Sequence, residues 1–327
     1  MTESIAIPLL IVFFSFTLTV LAERVLIPLL SRCAKQPIYD GGPVWHLSKS
    51  GTPTMGGIAF IAVATPTLAV LSSYLFSANL RNSAISLLFA MLFAILNAAV
   101  GVIDDLTKLR NKRNAGLTPV QKLIFQFAIA VLYVILLARF DSPNISNFRF
   151  LGINLGMIYY PAMTVMLVGL VNFANLTDGV DGLASSVALA IAISLIVITK
   201  NEIPELSFAC LTLIGICAGF LIFNFHPAKI FMGDTGSLFL GALIAAMSTS
   251  LRNPLMILLI SGVYVIEGAS VILQVAFFKM TKKRLFKMAP LHHHFEKIGF
   301  SEVKICVLAL LATILFSSIA YFLELRL

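Results

Sequence analysis

From Ser4 to Leu323 the chain returns again and again to uncharged apolar runs close to the length of a bilayer crossing, and this limits its fold more than any motif does. A transmembrane helix needs about 20 predominantly apolar residues. Runs of this kind cover approximately Ser4–Leu30, Met55–Phe76, Asn82–Ile103, Leu123–Ala138, Tyr159–Leu176, Gly182–Thr199, Leu206–Phe225, Thr235–Leu251, Pro254–Phe278 and Ile305–Leu323. The fourth and eighth are the short ones. Lipid admits only structures that satisfy their own backbone groups, and runs this long select helices over barrel strands. The expected fold is an all-α polytopic membrane protein of about ten transmembrane helices. With 59% hydrophobic and 12% charged residues and a mean hydropathy of +0.98, little sequence is left for a soluble domain. Residues 1–327 therefore read as a single integral membrane domain.

The first run has no basic residue before it and no small-x-small cleavage pattern after it, which favours a retained span over a signal peptide. Cys33, Cys210, Cys217 and Cys306 form no C-x-x-C pair and read as small apolar residues. Between Asp141 and Tyr160, β-branched, aromatic, Asn and Gly residues suggest a short hairpin near 147–156.

Orientation follows from Lys and Arg. With the N-terminus outside, basic residues crowd the inner connections, notably Lys108, Arg110, Lys112, Arg113 and Lys122, then Lys279, Lys282, Lys283, Arg284, Lys287, Lys297 and Lys304. Only Arg81, Arg139, Arg149, Lys200, Arg252 and Arg326 fall outside. Both termini are thus expected to be outside. The net charge of +8 is explained by these loops, and no nucleic-acid partner is expected.

This topology puts Asp40, Asp104, Asp105, Asp178, Asp181 and Asp234 inside, with all five histidines, and leaves Asp141 outside. The positive-inside rule does not govern Asp or His, so the one-sidedness points to a site built from several inner loops. Asp104 and Asp105 end the third run; adjacent carboxylates repel unless a cation or a shared proton relieves them. Magnesium prefers oxygen ligands and commonly bridges carboxylates and substrate phosphates. Lys108, one turn on, can pair with Asp104 or meet a phosphate, as can Lys112. A plain polar stop at a helix end explains the acid pair equally well.

Asn172, Asn175, Asp178 and Asp181 recur every third position across a tight turn, more polar groups than capping requires. Gly233-Asp234-Thr235-Gly236-Ser237 opens the eighth run, so its N–H groups favour an anion; Asp234 is either an N-cap or a metal ligand there. Asn224 lies just upstream. His292-His293-His294 cannot all face one metal, because helical neighbours diverge by about 100°, and the triplet reads as phosphate or sugar contacts. Lys49 and Thr54 offer donors to an anion before the second run. Glu267, with Gln274 on the same face, sits at a membrane depth where an acid is costly and marks function.

The stretches from His46 through Lys49 to Gly57, Asn172 to Gly182, Phe231 to Ser237 and Pro290 to Glu296, with Asp104-Asp-Leu-Thr-Lys108, resemble the polyprenyl-phosphate N-acetylhexosamine-1-phosphate transferases. Within that superfamily the chain is similar to the members that act on phospho-N-acetylmuramoyl-pentapeptide. Relatives using UDP-N-acetylglucosamine tend to carry Asp where Lys108 stands. The resemblance implies transfer of phospho-MurNAc-pentapeptide from its UDP carrier to undecaprenyl phosphate, giving lipid I and UMP with magnesium, at the cytoplasmic face of a bacterial inner membrane. It implies Asp234 as magnesium ligand, helped by Asp104 or Asp105, and Asp104 and Asp105 as catalytic acids. Direct attack, with Asp104 as base or as orienting group, and covalent attack by Asp234 both stay open. Asn175, Asp178 and Asp181 would bind the nucleotide with Lys49, Lys108 and Phe231. Thr54, Asn172, Asn224, Glu267, Gln274, His292, His293 and His294 would complete the pocket. Self-association into a homodimer is left open. The rival readings are a sister transferase using UDP-N-acetylglucosamine, a secondary transporter, and a non-catalytic lipid-binding scaffold.

Overall fold

The computed structural model describes residues 2–34, 49, 51–111, 116–140, 149–150, 153–154 and 156–324. Lys112 and His46 lie outside the described residues. The chain opens with α1 (Thr2–Cys33), α2 (Ile58–Ser77), α3 (Arg81–Asn111) and α4 (Pro119–Phe140). Then come α5 (Tyr159–Thr177), α6 (Leu183–Ile198), α7 (Pro204–Asn224) and α8 (Gly233–Met247). The short α9 (Met256–Ile260) leads into α10 (Gly262–Thr281), α11 (Leu291–Lys297) and α12 (Glu302–Glu324).

Among the described residues, eight helices are long and apolar enough to cross a membrane. The fourth predicted run is not short after all. Its helix α4 spans 22 residues because the polar turn Pro119–Lys122 joins the apolar stretch. Thr118 and Gln121 cap that helix reciprocally: Thr118 N–H donates to Gln121 Oε1 at 2.9 Å and Gln121 N–H to Thr118 Oγ1 at 3.2 Å. The sixth and eighth runs fold as the shorter helices α6, of 16 residues, and α8, of 15. The ninth is divided between α9 and α10. In the segment 147–156, Arg149 pairs with Asn154 and Phe150 with Ile153 in an antiparallel ladder of β1 (Arg149–Phe150) and β2 (Ile153–Asn154). It forms no layer of the fold.

Helix α8 is the axis of the bundle. Every residue from Thr235 to Met247 is buried, mainly against α3 and α5. Helices in lipid gain little from exchanging one apolar neighbour for another, so close packing and internal hydrogen bonds hold them together. Small residues allow the approach here. A Cβ on Gly101 of α3 would stand 2.4 Å from the Asp234 carbonyl oxygen, and one on Gly57 would stand 2.1 Å from Gly236 N. The segment before α2 clasps the entry of α8 through Phe231 N–H to Pro53 O and Gly56 N–H to Phe231 O, both at 2.9 Å. These contacts bring the end of α3 and the starts of α2, α4 and α8 to one end of the bundle.

Candidate active site

Helix α8 lacks a cap from its own N-cap residue, Met232. Its first amides are satisfied by Asp105 from α3, whose carboxylate accepts Asp234 N–H at 3.1 Å, Thr235 N–H at 2.9 Å and the Thr235 hydroxyl at 2.7 Å. The cap thus comes from another helix, which releases the Asp234 side chain from the capping role. Gly233 makes this possible: it takes φ +69°, and a Cβ there would lie 2.5 Å from Asp105 Oδ2.

Asp104, Asp105 and Asp234 can each bring an oxygen within 4.8 Å of the others. Two ammonium groups lie among them. Lys108 meets Asp104 at 2.7 Å and Asp234 at 3.2 Å. Lys122, from the first turns of α4, meets Asp104 at 3.1 Å and makes a close ion pair with Asp234. Asp104 is fully buried and also accepts Leu117 N–H at 2.7 Å. Asn175 donates to Asp234 Oδ1 at 3.2 Å and to Ser237 Oγ at 2.7 Å. One turn deeper, Asn172 donates to Gln126 Oε1 at 2.7 Å. Asp178, at the end of α5, is pushed up to about 8, chiefly by burial and then by the negative charge of Asp234, Asp105 and Asp181, with Lys108 opposing.

A second cluster lies beside the first. Asp181 receives Lys49 Nζ at 2.7 Å, His226 Nδ1 at 3.1 Å and Ala228 N–H at 3.0 Å. Glu302, in the first turn of α12, takes the same Lys49 at 2.7 Å and Asp181 N–H at 2.9 Å. Burial opposes the charge of Lys49, yet the bonds to Asp181 and Glu302 hold its ammonium above the usual range. Asn224 spans the same knot, accepting Gly182 N–H at 3.1 Å and donating to Ile230 O at 2.9 Å. Thr54 is buried beside Gly233, and Phe231 is half-buried where the clasp meets α8.

The histidine triplet forms the first turn of α11. His292 is bonded to Glu267, His293 Nδ1 lies 2.6 Å from Glu296 Oε2, and His294 Nδ1 accepts Lys287 N–H at 3.2 Å. Gln274 accepts Leu285 N–H at 3.0 Å and Phe286 N–H at 2.8 Å, which holds the loop between α10 and α11. Asn224, Glu267 and Gln274, and the side-chain amide nitrogen of Asn172, are therefore engaged within the chain.

Comparison with known proteins shows the family of the chain. The glycosyl transferase family 4 profile matches residues 86–252, the stretch holding both acids of α3 and Asp234. Signature 1 of the phospho-N-acetylmuramoyl-pentapeptide-transferases matches 49–61. A phospho-N-acetylmuramoyl-pentapeptide-transferase of Halalkalibacterium halodurans is 42% identical over 325 residues, 97% of each chain. One from Clostridium acetobutylicum is 41% identical over 314 residues, 95% of this chain and 96% of its own. The chain belongs to the phospho-N-acetylmuramoyl-pentapeptide-transferase family.

Lys122 and Glu302 join these clusters in the transferase without belonging to any of its motifs. The signal for Lys122 is its place within the first turns of a span that follows a capping sequence. Glu302 gives a weaker one, an acid at the start of a span with Lys297 and Lys304 nearby.

Proposed function

We propose that this chain transfers phospho-MurNAc-pentapeptide from UDP-MurNAc-pentapeptide to undecaprenyl phosphate, forming lipid I and UMP in peptidoglycan synthesis. The observation that carries the reading is the meeting of Asp104 and Asp234 with Lys108 and Lys122. Two anions must approach each other in this reaction, and a site with both carboxylates and ammonium groups can hold a divalent cation and phosphates together.

The donor set suits magnesium, being made only of carboxylate oxygens. Asp234 and Asp104 would hold it, since both oxygens of Asp105 are already taken by the start of α8. When bound, the ion supplies charge neutralisation at the diphosphate and assists departure of the UMP leaving group. Lys108 and Lys122 would turn from the acids to phosphate oxygens. Asp104 acts as an orienting group in this scheme, its carboxylate fixed by Leu117 N–H and turned with Asp234 towards the ion. The lipid phosphate needs little help from a base: its second pKa is near ~6, so it is largely dianionic at neutral pH. Lys49, Thr54, Asn175, Asp178, Asp181 and Phe231 line the path to the nucleotide, and Asn172, Asn224 and Gln274 hold that path in shape.

The whole chain acts as one membrane domain in the bacterial inner membrane, α6 and α8 completing ten crossings inside the bundle, with the site facing the cytoplasm and the termini facing out. The excess of Lys and Arg on the inner connections supports this orientation. The test is UMP release from vesicle-reconstituted protein supplied with undecaprenyl phosphate. Release is expected with UDP-MurNAc-pentapeptide and magnesium, and not after chelation. Preferential turnover of UDP-N-acetylglucosamine would move the chain to the sister activity, and release without any divalent ion would end the metal assignment.

A further inference from the structure

Three side chains of the second cluster converge at distances that suit a shared metal ion. His226 Nδ1, between α7 and α8, stands 3.1 Å from Asp181 Oδ2 and 3.6 Å from Glu302 Oε1. Donor atoms on one tetrahedral ion, each about 2.0–2.1 Å from it, lie about 3.3 Å apart. The two distances bracket that value. Each of the three residues can bring one donor atom within 4.8 Å of the other two. Lys49 does not stand in the way, because its ammonium takes the other oxygens, Asp181 Oδ1 and Glu302 Oε2, both at 2.7 Å. The backbone beneath Asp181 is held as well: Cys306 Sγ donates to Asp181 O at 3.3 Å, and Asp181 N–H donates to Glu302 at 2.9 Å. Two carboxylates face one ammonium, which leaves a negative charge beside a neutral imidazole. The carboxylates are largely buried, but the imidazole is 43% exposed. An ion can therefore enter from the His226 side and keep water as its fourth ligand.

We propose that Asp181, His226 and Glu302 form a second metal site, separate from the all-oxygen cluster, for a transition-metal dication of the zinc class. Imidazole favours zinc or cobalt, whereas magnesium keeps to oxygen. Without an ion, the proton on His226 Nδ1 bridges to Asp181. The ion takes the place of that proton, and the neutral ring carries its proton on Nε2 instead. Once bound, it ties together the turn after α5, the loop before α8 and the start of α12. Asp181 also lines the proposed path to the nucleotide, so an occupied site weakens the hold on the donor. That consequence rests on the proposed function; metal binding does not.

The experiment uses the full-length protein in detergent micelles, stripped of metal and given excess magnesium for the first cluster, with Co2+ as the probe. One equivalent should produce the visible absorption of tetrahedral cobalt, and Zn2+ should displace it. His226→Gln, at a half-exposed position, should weaken cobalt binding about 100-fold. Glu302→Gln should weaken it too, and the melting temperature without metal checks that both variants fold. Asp234→Asn should leave the cobalt signal unchanged. In assays of UMP release, zinc should raise the donor KM and leave the lipid-phosphate KM alone, and His226→Gln should remove that effect. No tetrahedral cobalt absorption, or equal affinity in His226→Gln, overturns the site. Loss of the signal in Asp234→Asn puts the ion in the first cluster and overturns it as well. Bound zinc with an unchanged donor KM overturns the link to the nucleotide path. Because cobalt binding is read without any substrate, a wrong substrate assignment leaves that part standing.

Discussion

Two carboxylate clusters lie side by side at one end of the bundle, and each draws its oxygen or nitrogen atoms within 4.8 Å. Asp104, Asp105 and Asp234 offer oxygen alone, whereas Asp181, His226 and Glu302 mix oxygen with an imidazole. The stronger contrast lies in what satisfies them. Asp181 and Glu302 are held partly by backbone amides, those of Ala228 and Asp181, and their shared cation is Lys49. Asp234 is instead met by side chains, Asn175, Lys108 and Lys122. A lysine side chain can swing away to a phosphate at small cost, but a backbone amide cannot. Asp104 and Asp105 also accept backbone N–H groups, so the capacity to exchange partners lies in Asp234, while the other cluster ties four chain segments together.

The largest effect expected from this contrast falls on Asp234. Asp234→Asn should lower UMP release on the order of 10³-fold and abolish any magnesium-induced rise in melting temperature. Glu302→Gln should keep that rise. If the rise survives Asp234→Asn and disappears in Glu302→Gln, the roles of the two clusters are exchanged.

A smaller change, now in stability, separates the lysines. Lys49→Met leaves Asp181 and Glu302 facing each other without their cation, and should cost about 3 kcal/mol in thermal unfolding. Lys122→Met should cost less, because Lys108 still pairs with Asp104 and Asp234. Equal losses in the two variants would erase the distinction drawn here.

The smallest effect is on pH dependence. Asp178 titrates at about 8 in the folded chain, against an ordinary carboxyl near ~3.9. The folded state therefore holds this proton more tightly than the unfolded state does. Its stabilising contribution is complete below the ordinary value and is lost as pH rises towards about 8. Asp178→Asn should flatten the decline in melting temperature across that window, and an unaltered slope would remove Asp178 as its source.

Much of this was legible in the sequence. The apolar runs located the helices, because a helix in lipid is chosen by local composition and length. The gathering of Asp104, Asp178 and Asp234 on one side was also legible, since Lys and Arg fix topology independently of the acids. The jobs of the individual acids were not. Asp104 and Asp105 are neighbours with the same chemistry, yet one faces two lysines and the other caps α8. Nor does the sequence show that Asn224 and Gln274 bond backbone groups at Gly182, Ile230, Leu285 and Phe286. Lys122 looked like a topology charge and lies against Asp234.

By itself the sequence determined that this chain is a bundle of membrane helices with its polar chemistry at one end, because hydropathy and charge act over a single span and need no knowledge of neighbours. Only the tertiary structure decided which acid meets which cation and which amides are already engaged. Those contacts join residues as far apart as Lys49 and Glu302, and they depend on helix rotation and on glycines small enough to let backbones touch.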